Sequence, residues 1–198
     1  MSPILTGVIA SGITGQLNTW SPAGAYDALA SVTVPSGGVS SITFSGIPTG
    51  YKHLQIRALA QSSRSGFPDG YFTRVGNSNI DTGDNYSWHY LDCDGSNAVA
   101  SATASTSSAR IGSISGQSAT SMFTANIVDI LDYTNTNKYK TIRSLFGYDT
   151  NGNGSVGQRV GVYSGLWQSN SAINIIRIFP EVGPNFQEHS SFALYGVK

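Results

Sequence analysis

The chain has 198 residues, enough for one domain with a full core that needs neither disulfides nor metal to fold. Eleven Lys+Arg balance eleven Asp+Glu, and only 11% of residues are charged, against about 25% in ordinary soluble domains. This speaks against a basic nucleic-acid surface, and the single cysteine, Cys93, rules out an intramolecular disulfide or a cysteine-built zinc site. The polar surface must come from Ser, Thr, Asn, Gln and Gly. Such a surface suits packing against other proteins, because burying a hydroxyl costs much less than burying a charge.

Residues 1–25 are rich in Gly, Ser and Thr, with recurring aliphatics and neither helical caps nor a helical stripe. They read as an extended N-terminal arm that closes near Trp20-Ser21-Pro22. Ile4, Leu5, Val8, Ile9 and Ile13 are its candidate partner-binding anchors, since uncovered segments are usually poorer in such residues. The opening stretch has no Lys or Arg and its apolar residues are interrupted, so no secretory leader is expected. No run of about 18 apolar residues exists, so no membrane span is expected either.

Residues 26–198 read as one β-sandwich domain. Ala30–Val34 alternates and stops at Pro35-Ser36-Gly37-Gly38, and Val39–Phe44 follows before the turn at 46–50. His53–Ala60 alternates cleanly, with Leu54, Ile56, Ala58 and Ala60 on one face. After a polar loop at 61–70, Tyr71–Val75 and Ser87–Leu91 are weaker strands around a polar turn. The Ser/Thr/Ala stretch Asn97–Ala109 reads as a loop. Met122–Leu131 and Tyr139–Phe146 form a hairpin, and Val160–Trp167, Ile173–Phe179 and Phe192–Val197 complete about ten strands with no helix. The expectation is an all-β antiparallel sandwich of jelly-roll type.

Chemistry-bearing patterns are sparse. His53, His89 and His189 form no metal-ligand spacing. Residues 149–154 match the first half of a calcium loop, but Val160 stands where a bidentate Glu is needed. Asp69, Asp81, Asp84, Asp92 and Asp94 occupy turns without a spacing that fixes a catalytic pair. No nucleophile elbow, P-loop or dinucleotide fingerprint is present. No enzymatic activity, metal or cofactor is expected. Cys93 reads as a small buried hydrophobe. Trp88 and Trp167, set beside polar segments, are candidates for stacking on a sugar ring.

Several segments carry a resemblance: the turn and strand over 31–44, GIPTGYKHLQIRALAQ at 46–61, DILDYTNTNKYKTIRSLFGYD at 129–149, SGLWQSNSAINIIRIFP at 164–180 and SSFALYGVK at 190–198. Together with the opening SPILTGVIASGITG, they resemble a β-rich family of virion structural proteins of tailed bacteriophages. The resemblance implies a non-enzymatic virion component and brings no catalytic motif. The leading expectation is a capsid decoration (cement) protein on the capsid exterior. It would contact the major capsid protein or another virion protein, as a homo-oligomer (trimer or dimer), with the arm laid across a neighbour. The alternative is a tail or fibre component binding a host-surface glycan through Trp88 and Trp167.

Overall fold

The computed structural model describes residues 25–116, 121–149 and 158–198. Among them are thirteen strands and no helix. In chain order these are β1 (Tyr26–Thr33), β2 (Ile42–Ser45), β3 (His53–Ala60), β4 (Asp69–Asn77), β5 (Asn79–Ile80), β6 (Tyr86–Cys93) and β7 (Ala98–Thr106). They continue with β8 (Ala109–Ile114), β9 (Thr124–Ile130), β10 (Lys140–Asp149), β11 (Gln158–Trp167), β12 (Ile175–Pro180) and β13 (Ser191–Val197). All strand pairs are antiparallel and form two sheets. The larger has the order β1-β13-β3-β9-β10-β11-β6-β7; the smaller runs β2-β12-β4, with β5 and β8 both paired to β4.

Each of the ten strands expected from period-2 alternation is present. The clean pattern of β3 holds to the residue: Leu54, Ile56, Ala58 and Ala60 are all buried. Two readings are corrected. The stretch 97–109 is no loop, because β7 pairs with β6 along most of its length. Strands β4 and β6, taken as neighbours around one turn, lie in different sheets.

The core lies between the sheets. Phe44, Tyr71, Val75, Ile176 and Ile178 from the smaller sheet meet Leu54, Ile56, Val128, Ile142, Phe192 and Leu194 from the larger. A second cluster, Phe146, Tyr148 and Tyr163, takes in Phe67, Tyr90 and Met122. Gly161 makes room for it: a Cβ there would sit 2.7 Å from Phe146 Cε1.

Polar side chains also tie the sheets together. Asn126 of β9 and Ser144 of β10 both donate to the Ile111 carbonyl of β8, at 3.1 and 2.7 Å. The fully buried Tyr86 hydroxyl of β6 accepts from the Val75 amide of β4 and lies 3.0 Å from the Val75 carbonyl, to which it donates. Tyr86→Phe keeps the ring but strands that amide. It should cost about 1–3 kcal/mol in urea unfolding; a loss below about 0.5 kcal/mol would mean that the hydroxyl is dispensable.

Among the described residues four carboxylates, Asp27, Asp81, Asp94 and Asp132, are held below their usual value; at Asp81 burial pushes upward, but hydrogen bonds from the Trp167 indole, the Gly83 amide and Asn85 outweigh it. Lys198, 2.7 Å away, holds Asp27 below its usual value; Lys138 does the same for Asp132, and the amides of Asn97 and Ser96 for Asp94. A lowered native pKa adds stability above the unfolded value of 3.8, and that stability is lost as pH falls through the native pKa. The thermal midpoint should therefore hold down to about pH 5 and fall below about pH 4. A decline beginning near about pH 6.5 would assign the dependence to histidine instead.

Candidate docking face

The larger sheet has two faces, and only one of them meets the smaller sheet. On the outward face the register aligns side chains in rows across the strands. One row reads Ala100, Leu91, Val162, Leu145 and Ile127, on β7, β6, β11, β10 and β9. The next reads Ala98, Cys93, Val160, Gly147, Ala125 and Leu59, reaching β3. Neither row carries a charge. Leu59, Leu91, Leu145, Val160 and Val162 are each about half exposed, from 48% to 59%, and Ile127 is 40% exposed.

Beside the rows on this face lies a hydrogen-bonded polar network. Gln55 donates to Asp129 at 2.8 Å, and Arg143 donates to the other Asp129 oxygen at 3.1 Å. Arg57 starts between Ile127 and Ala193 in the register but does not cover the apolar rows. Its guanidinium lies 5.3 Å from the ring centres of both Tyr26 and Tyr195, and its Nε donates to Gln55. The apolar rows are thus left bare beside a closed polar network.

With strands about 4.8 Å apart and same-face residues about 6.8 Å apart, the two rows cover roughly 24 by 14 Å, or on the order of 300 Å². A patch of that size matches the largest apolar patch on an ordinary monomer, and such patches are often functional. Period-2 reasoning missed it because it assigns one apolar face per strand. The available signal was doubled apolar pairs that break the alternation: Ile127-Val128, Leu145-Phe146 and Val162-Tyr163. In each pair the second residue is buried and the first exposed.

The sequence-derived candidates fall elsewhere. Trp167 is withdrawn as a sugar platform: it is 3% exposed, and its indole N–H donates to Asp81 at 2.8 Å. Trp88 is half-buried on the inward side of β6. It stacks on Tyr90 at 6.0 Å and meets Phe72 edge-on at 6.5 Å, with the Arg110 guanidinium 5.9 Å from its ring centre. These neighbours occupy much of the ring surface that a sugar would need. Cys93 is partly rather than fully buried, in the second apolar row. The arm residues Ile4, Leu5, Val8, Ile9 and Ile13, and most of the loop 149–154, lie outside the described residues.

The carboxylates are engaged in the fold. Buried Asp69 accepts the amides of Val182 and Gly183, and Asp92 holds Arg159 and Tyr163, each at 3.1 Å. Among the described residues no three His, Cys, Asp or Glu side chains gather as a metal site would require. No family model, curated protein or solved structure matches the chain.

Proposed function

We propose that this chain is a structural subunit of a bacteriophage virion, and within that class a capsid decoration protein. It docks through protein–protein contacts on the outward face of the larger sheet. The observation that carries the reading is the pair of uncharged, uncovered apolar rows spanning β3, β9, β10, β11, β6 and β7. The charge-poor composition supports it, because copies and partners packed closely repel little and few ions need desolvating. The segment resemblance supplies the kind of assembly.

The strand order adds support for a jelly roll. β1-β13-β3-β9 in one sheet and β2-β12-β4-β8 in the other is the order two nested Greek keys produce. Of the inserted strands, β6, β7, β10 and β11 widen the larger sheet and supply much of the apolar face, while the two-residue β5 pairs with β4 in the smaller sheet. The extra strands therefore build the surface that docking needs.

The test is the copy number and position of the protein on purified particles, by quantitative mass spectrometry and antibody labelling. A decoration protein appears over the whole head in hundreds of copies. A few copies at the tail would favour the glycan-binding alternative, and absence from particles would end the virion reading.

A further inference from the structure

We propose that the outward face of the smaller sheet binds a doubly charged oxyanion, a phosphate or sulfate group, between Arg177 of β12 and Arg74 of β4. This face is the one turned away from the larger sheet and its apolar rows, so the site is separate from the docking surface.

The register brings the two arginines together. Arg177 aligns with Arg74, and their chain neighbours Ile176, Ile178 and Val75 are buried in the core. Both arginines therefore stand on the opposite face. Residues so paired have Cβ atoms about 5 Å apart, and like charges directly opposite destabilise a sheet. In the larger sheet Arg143 and Arg159 are matched by Asp129 and Asp92. Among the described residues no carboxylate pairs with Arg74 or Arg177. The strands of the smaller sheet hold one acid, Asp69, which is buried and taken up by the Val182 and Gly183 amides. Glu181 follows β12 and lies over Gly70, four residues beyond Arg177, or about 13 Å along the strand.

Hydrogen bonding separates the roles. Arg110 of β8 is engaged in the fold: it donates to the Gly112 carbonyl and the Ser113 hydroxyl, and its guanidinium lies within 5.9 Å of the Phe72, Trp88, Tyr90 and Tyr163 ring centres. Arg74 is held but not exhausted. Its Nε and one terminal nitrogen donate to Ser107, at 2.8 and 3.1 Å, and its guanidinium lies 4.9 Å from the Phe179 ring centre. Arg177 is partly exposed, and its Nε is buried without an acceptor. A cationic donor so placed is costly until an anion compensates it. Guanidinium forks favour phosphate and sulfate oxygens, and a tetrahedral group has enough oxygens to serve two forks at once. The hold of Ser107 and Phe179 on Arg74 lowers the ordering cost of binding.

The experiment titrates the full chain with sodium sulfate and with sodium phosphate, at ionic strength held constant with chloride, and follows the Nε–Hε NMR signals of Arg177 and Arg74. Both signals should shift and saturate. Arg177→Gln should weaken binding by at least about tenfold, read at Arg74. Arg177→Lys should lose most of the affinity although it keeps the charge, because an ammonium lacks the fork. Lys52→Gln removes an equal charge at an exposed position elsewhere and should bind like the unaltered protein. Heparin run beside free sulfate identifies the source: tighter binding per sulfate supports a group carried on a polymer, and equal binding supports the free ion. No saturable shift in the unaltered protein overturns the proposal, as does unchanged affinity in Arg177→Gln.

Discussion

Leu145→Asp should leave the fold intact and abolish docking. Leu145 is 52% exposed at the centre of the first apolar row, flanked by Ile127 and Val162. Its side chain points away from the core, so stability should change by no more than about 0.5 kcal/mol. In a docked complex the same position would bury a carboxylate with no partner, because Arg143 is committed to Asp129 and Arg57 to the Tyr26 and Tyr195 rings. Covering the exposed half of Leu145 is itself worth about 1 kcal/mol, and burying the unpaired acid adds about 2 kcal/mol or more. Together these weaken attachment by at least about a hundredfold. Thr43→Asp is the control, since Thr43 is exposed on β2 of the other sheet. It should attach normally. Retention of Leu145→Asp at wild-type level would remove this face from the interface.

The largest loss of stability should come from Asp92→Ala. Asp92 is 3% exposed on the inward side of β6. It accepts from Arg159 and from the Tyr163 hydroxyl, each at 3.1 Å. The Arg159 side chain is 24% exposed, and its Nε is buried without a partner. Removing the carboxylate leaves that guanidinium half-desolvated and uncompensated, at a cost of about 3–5 kcal/mol. Asp92→Ala/Arg159→Met should recover part of this, because no orphaned charge remains. Urea unfolding measures both. A loss below about 1 kcal/mol for the single variant would show that solvent reaches Arg159 freely.

Much of the sandwich was legible because its strands bury one face and alternate accordingly, as in β3 and β13. What escaped did so for physical reasons. β7 is Ser, Thr, Ala and Val, exposed on both faces at the sheet edge, so there is no hydrophobic contrast to read. β8 has the opposite problem: five of its six residues are buried, and continuous burial has no period. Trp167 sits beside polar residues in sequence, yet its indole caps the Asp81 turn, a contact 86 residues distant. The docking face is made by register between strands far apart in the chain. Leu59 and Leu91 were visible as residues, but nothing local shows that they belong to one surface.

The central claim is that this face is covered in the assembled state, and Cys93 reports on it directly. The residue sits in the second row beside Val160, partly exposed, and it is the only cysteine in the chain. The measurement is its rate of alkylation in the dilute free protein and in the same protein bound to particles. The account predicts ready labelling when free, and protection of at least about tenfold when assembled, as burial at an interface excludes reagent with water. Equal rates in the two states would contradict it.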